Sequence, residues 1–221
     1  MDDQFIKSVV FDWDKVDDDS YVKKIEGFRG IDKLKFNKSI TFFVGENGSG
    51  KSTLLEALAV AHGFNPEGGT KNYDFSTYDN HSELCDAIKI QKSHRKERWG
   101  YFLRAESFYN VATQEEEYAD AEHPSEKYHE RSHGESFLAL AQKHLQPNSL
   151  YFFDEPEAAL SPQRQLTLLM LIYRCAQAGS QFFIVTHSPI LLGIPDADIY
   201  CFDCGSIHLC EYEETDSYAI T

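Results

Sequence analysis

No stretch of this chain approaches the roughly 18 consecutive apolar residues that would mark a membrane-spanning helix. The opening Met1-Asp2-Asp3-Gln4 is acidic and lacks the apolar core of an export signal, so the cytoplasm is the expected location. Positive charge is scarce as well. Lysine and arginine number 21 against 36 acids, for a net charge of -15 and a pI near 4.9. That balance gives no electrostatic support for broad adhesion to nucleic acid or anionic lipid. The one basic cluster, Lys89, Lys92, Arg95, Lys96 and Arg98, reads as a solvated face. Five cysteines are few and odd in number, which favours reduced thiols. Cys201-Phe202-Asp203-Cys204 has no second C-x-x-C to complete a zinc site. With Cys210 it reads instead as two strands, Ile199–Phe202 and Ile207–Tyr212, around an Asp203-Cys204-Gly205-Ser206 turn. Internal repeats, low-complexity segments and long heptads are also missing.

What is present is concentrated in nine residues. Gly45-Glu46-Asn47-Gly48-Ser49-Gly50-Lys51-Ser52-Thr53 matches G-x-x-x-x-G-K-[ST] at Gly45, Gly50, Lys51 and Ser52. Its flanks agree. Ile40 to Val44 is apolar enough for a buried strand, and Thr53 to His62 carries Leu54, Leu55, Leu58 and Ala61 at helical spacing. Glycines between strand and helix let backbone N–H groups turn inward around phosphate oxygens at the positive end of the helix. Lys51 can then reach the β- and γ-phosphates, and the Ser52 hydroxyl can ligate Mg²⁺. The loop predicts a nucleoside triphosphate site.

At 221 residues the chain suits one α/β domain. Phe5–Phe11 and Val22–Phe28 read as an opening pair of strands joined by acidic Asp12–Ser20, and Leu34–Val44 continues as strands into the loop. Residues 63–131 are less regular, a variable insert with a helical Ser82–Gln91, a strand around Gly100–Ala105, and a polar, acidic, exposed Gln114–Glu130. From Gly134 onward a helix (Phe137, Leu138, Ala141, Leu145), a strand Ser149–Phe153, a helix Pro162–Ala178 and a strand Gln181–Thr186 alternate. Apolar strands alternating with helices imply a mainly parallel sheet covered on both faces, with an N-terminal antiparallel part. In such sheets the chemistry gathers at the carboxyl ends of strands. Three strands end at Gly45, Asp154 and His187.

Ser149-Leu150-Tyr151-Phe152-Phe153-Asp154-Glu155 is an apolar strand delivering two carboxylates, about a hundred positions after the phosphate loop. Two acids at the end of a buried strand are costly unless a cation or water meets them. Asp154 is suited to Mg²⁺, and Glu155 to polarising an attacking water. Ile184-Val185-Thr186-His187-Ser188 sets a histidine just past a third strand, where it can contact the γ-phosphate and that water.

Together these residues resemble an ATP-binding cassette (ABC) ATPase of the soluble branch that includes RecF, SMC and related break-repair ATPases, and more narrowly a small bacterial class of predicted AAA-type ATPases. Asp154-Glu155-Pro156 resembles its Walker B, Ala158-Ala159-Leu160-Ser161 its D-loop and His187 its switch histidine. Arg131-Ser132-His133-Gly134-Glu135 resembles its signature, with Ser132 lying 22 positions before Asp154. Departures are visible: His133 replaces the first signature glycine, Glu135 the glutamine and Ser161 the D-loop aspartate, while Glu106 stands nearest to the Q-loop glutamine as a metal residue. Glu26-Gly27-Phe28-Arg29-Gly30 resembles a segment whose arginine approaches the nucleotide. The resemblance implies an ABC-type P-loop domain that binds ATP and Mg²⁺. It also implies a head-to-tail homodimer in which Ser132, Gly134 and Glu135 of one copy cap the γ-phosphate on the other. Two further readings fit the same motifs: a nucleotide-gated adaptor recruiting a partner protein, and the ATPase subunit of a transporter.

Overall fold

The computed structural model describes residues 4–71, 82–104, 133–158, 160–203 and 205–220. Its centre is β3 (Ile40–Val44), buried along its whole length. Ile40, Phe42 and Val44 enter one apolar cluster and Phe43 the other. A strand with both faces covered has no use for polar alternation. Parallel to β3 on its two sides run β7 (Gln181–Val185) and β8 (Asp198–Cys201). Beyond β7 lie β6 (Ser149–Asp154) and then β5 (Trp99–Arg104), also parallel. The antiparallel β9 (His208–Cys210) closes the far edge against β8, so the Cys201–Cys210 segment is the expected hairpin. The order β5-β6-β7-β3-β8-β9 makes the three strands that carry the motifs immediate neighbours.

On one face of this sheet lies α2 (Lys51–His62), whose Leu54, Leu55 and Leu58 pack with Phe43, Phe152 and Phe183. The other face is covered by α4 (His133–His144) and α5 (Pro162–Gln177), through Phe137, Leu140, Leu168 and Ile172. Each fully buried phenylalanine contributes on the order of 2–3 kcal/mol of transfer free energy.

A second, antiparallel sheet has the order β2 (Lys33–Lys35), β1 (Ile6–Phe11), β4 (Ile88–Lys92). One buried side chain stitches the two sheets together. Gln181 Oε1 accepts from the N–H groups of Phe5 and Ile6 at 2.8 and 2.9 Å, and its Nε2 donates to Ile6 O at 2.9 Å. A buried carboxamide is tolerated because its bonds are made.

Three sequence expectations are corrected here. Val22–Phe28 does not pair with β1. Its start is the single-turn helix α1 (Tyr21–Lys24), where the Ser20 hydroxyl accepts from Val22 N, followed by a 3₁₀ turn over Glu26–Phe28. A Cβ on Gly27 would stand 3.1 Å from Ser49 O, so this segment is folded against the phosphate loop instead of extended. Ser82–Gln91 is not one helix either. The short α3 (Leu84–Ala87) gives way to β4, in which Ile88 and Ile90 face inward between exposed Lys89 and Gln91. Pairing with β1 overrides any helical preference there. The helix after the phosphate loop starts two residues earlier than expected, at Lys51.

Candidate functional site

The phosphate loop closes on itself. Gly45, Gly48 and Gly50 hold φ values of 137°, 82° and 102°, which glycine alone adopts freely. Gly50 caps α2 in the left-handed conformation. Lys51 is 4% exposed, and its Nζ donates to the carbonyls of Gly45 and Glu46 at 2.7 Å each. Burial lowers its pKa, opposed by the carboxylates of Glu155, Asp203 and Asp154. Within the loop the Ser49 hydroxyl is buried with no hydrogen-bond partner. Asp203 braces the loop from the β8–β9 turn: its Oδ1 accepts from Glu46 N at 2.9 Å and would lie 2.8 Å from a Cβ on Gly45.

Across the top of the sheet, the Ser52 hydroxyl donates to Asp154 Oδ1 at 2.8 Å. A hydroxyl and a carboxylate, side by side and largely shielded, form the hard oxygen donor set that suits Mg²⁺. Arg104, at the end of β5, lies 4.0 Å from Asp154 Oδ2 through its Nε and donates at 2.7 Å to Glu56, one turn beyond Ser52 on α2. Asp203 and Arg104 were not singled out from sequence. Both act through approaches between distant segments, and neither lies in a recognisable motif.

At the end of β6 the chain turns through Glu155, which holds φ at 48° and donates its N–H to Val185 O at 3.0 Å. A non-glycine residue in this region is uncommon and clusters at functional sites. Glu155 Oε1 thereby stands 3.8 Å from His187 Nε2, both side chains being more than 40% exposed. Two residues on, Glu157 Oε1 accepts the backbone N–H of His187 at 2.6 Å. Burial raises the Glu157 pKa, against the hydrogen bond from His187.

A cavity of about 850 Å³ opens on this end of the sheet, walled by Gly45, Glu46, Asn47, Thr186, His187 and Asp203 among others. A second, of about 370 Å³, lies outside the loop, between Glu46–Ser49 and Tyr21–Gly27. Arg29 does not line it. Its guanidinium is exposed and lies 3.8 Å from Glu26. Gly134 and Glu135 sit in the first turn of α4, where Glu135 accepts from Arg164 of α5 at 2.9 Å. Glu106, Ser132 and the acidic Gln114–Glu130 lie outside the described residues.

Phosphate loop, paired hydroxyl and carboxylate, and acid–histidine pair lie at the ends of three adjacent parallel strands of a P-loop domain with the ABC/SMC-like fold. The sequence pattern of the AAA domain family matches residues 23–169, about two thirds of the chain, and the chain belongs to that family. Among solved structures it is similar to the SMC head domain from Thermotoga maritima, with 13% identity and a TM-score of 0.50 over 94% of this chain and 99% of that one. It is also similar to a putative metal-chelate type ABC transporter in an inward-facing conformation (18% identity, TM-score 0.48, 85% of this chain and 78% of that one). A third likeness is to the ADP conformation of an ATP-binding cassette of an ABC transporter (19% identity, TM-score 0.47, 80% and 81%). No curated protein matches the sequence. No helix among the described residues is long and apolar enough to cross a membrane.

Proposed function

We propose that the chain is a Mg²⁺-dependent ATPase that holds ATP between two copies of itself and lets them part on hydrolysis. The observation that carries this reading is the meeting of Lys51, the Ser52–Asp154 pair and the Glu155–His187 pair at one end of the sheet. Inward-turned N–H groups of residues 45–53, including those of Asn47, Ser49 and Thr53, and the dipole of α2 would bind the phosphates. Lys51 would exchange its two carbonyl acceptors for β- and γ-phosphate oxygens. Ser52 and Asp154 would hold Mg²⁺, with Glu106 as a further metal residue; when bound, the ion would neutralise charge developing on the phosphates.

Glu155 would accept a proton from the water that attacks the γ-phosphorus. The bond from that phosphorus to the β,γ-bridging oxygen breaks, and ADP leaves with the bridging oxygen. His187 would donate to the γ-phosphate oxygen and orient the water. Arg29 is proposed to approach the nucleotide by leaving its surface contact with Glu26. Ser132, Gly134 and Glu135 of a second copy would complete the γ-phosphate site. Support for that last element is the position of Gly134 and Glu135 in the first turn of a twelve-residue helix, the end whose dipole favours an anion.

Glu155→Gln tests this reading. The variant should bind ATP normally, lose hydrolysis by about 100-fold or more, and accumulate as an ATP-dependent dimer in light scattering. A protein that stays monomeric at saturating ATP and Mg²⁺ would count against the sandwich.

A further inference from the structure

The switch histidine is gripped at two points by acids two residues apart. Its ring faces Glu155, in a contact that is open and long at 3.8 Å. Its backbone N–H is taken by Glu157 Oε1 at 2.6 Å. The other Glu157 oxygen, Oε2, is buried with no hydrogen bond of normal geometry, and the Thr186 side chain lends the carboxylate only a weaker one. Leaving a carboxylate oxygen so placed is costly, more than capping one N–H requires, since a serine or glutamine could do that. The backbone shows how the side chain is brought there. Glu155 N is fixed to Val185 O, Ala158 N donates to Glu155 O at 3.1 Å, and Leu160 N donates to Glu157 O at 2.8 Å. This tight turn folds residue 157 back over the end of β7. The His187 carbonyl accepts from the Ser217 hydroxyl at 3.3 Å.

We propose that Glu157 is a positioning residue for hydrolysis: it tethers the main chain of His187 so that the imidazole stays within reach of Glu155. It is not among the residues that wall the cavity of about 850 Å³. Its effect on turnover rests on the ATPase reading above, whereas the tether does not. The tether works through an acceptor oxygen at the right reach, not through charge, so substitutions separate the two. Glu157→Gln keeps reach and acceptor and loses charge; Glu157→Asp keeps charge and loses reach; Glu157→Ala loses both.

Two measurements decide it. Amide hydrogen exchange at His187 in the nucleotide-free protein reads the tether directly, and single-turnover hydrolysis with a separately measured ATP Kd reads its consequence. Exchange should be about tenfold or more faster in the Asp and Ala variants and within about threefold of wild type in the Gln variant, as expected for loss of one hydrogen bond in the first two and its retention in the third. Single-turnover rates should fall about 10- to 100-fold in Asp and Ala, stay within about threefold in Gln, and leave the ATP Kd unchanged. Equal protection of His187 in all variants would overturn the tether, and so would a crippled Gln beside a normal Asp. If Ala fails to fold, the Gln and Asp pair still decides. If wild type itself hydrolyses no ATP, the ATPase reading fails while the exchange result still judges the tether.

Discussion

The two sides of the candidate site are built to different standards of completeness. On the phosphate-loop side the working side chains are shielded and engaged within the chain: Lys51 on two carbonyls, Ser52 on Asp154, and Asp154 beside Arg104. On the switch side Glu155 and His187 are both more than 40% exposed and stand 3.8 Å apart, beyond hydrogen-bonding distance. The fold thus fixes the groups that would bind a triphosphate before any ligand arrives, and leaves the groups that would cut it to be brought together. Pre-formed binding groups meet their ordering cost on folding, whereas an open acid–histidine pair avoids burying polar groups in a closed, dry site without substrate.

That difference breaks cleanly under substitution. His187→Ala should lower single-turnover hydrolysis by about 100-fold or more while leaving the ATP Kd within about threefold. Lys51→Ala should also weaken ATP binding by about 100-fold, or ~3 kcal/mol, because a buried charged donor to two phosphates is removed. Titration with a fluorescent nucleotide alongside single-turnover assays reads both. If His187→Ala weakens binding as much as Lys51→Ala does, the two sides are one unit and the contrast is wrong.

The same contrast governs what could be read from sequence. The phosphate loop was legible because nine consecutive residues carry it, and the parallel sheet because apolar strands and helices alternate after residue 134. Asp154, Glu155 and His187 were legible as polar residues at strand ends. Asp203, Arg104 and Glu157 were not, since each acts by reaching a segment 30 to 157 positions away: Asp203 to Glu46, Arg104 to Glu56 and Glu157 to His187. The Val22–Phe28 misreading has a similar cause. Its apolar, β-branched content favours a strand, yet the Ser20 cap and the approach of Gly27 to Ser49 O fold it against the phosphate loop.

The helix that begins at the phosphate loop, α2, allows smaller tests at its ends. At the first, Gly50 holds φ at 102°, and a Cβ there would stand 2.8 Å from Ile25 Cγ2 and 3.1 Å from Phe28 Cζ. Gly50→Ala should therefore cost about 2 kcal/mol of stability, from left-handed strain and from displacing Ile25. A fall in Tm of about 4–8 °C is expected for a chain of this size. An unchanged Tm would mean the loop relaxes freely and is not pre-formed.

At the other end of α2, His62 Nε2 lies 2.9 Å from Glu97 Oε1, and Lys71 pairs with the same oxygen. Burial alone would raise the Glu97 carboxyl, but the hydrogen bonds from His62 and Lys71 outweigh it and hold its pKa well below the usual carboxylate range. Burial pushes the His62 imidazole down, so it bonds to Glu97 as a neutral ring near pH 7. Because the folded pKa of Glu97 is depressed, its contribution is present above about pH 4.3, the ordinary value for glutamate, and is lost as pH falls further. Glu97→Gln should destabilise the protein by about 1–2 kcal/mol at pH 7, and its deficit against wild type should shrink below about pH 4. The depressed His62 pKa adds a separate loss of stability as pH falls through about 6.5, and a larger one in the variant, which lacks the Glu97 carboxylate that partly raises it. Urea midpoints compared across pH 7 to 3.5 would separate the two, and a deficit that stays constant below pH 4 would show that Glu97 is not held ionised by this contact.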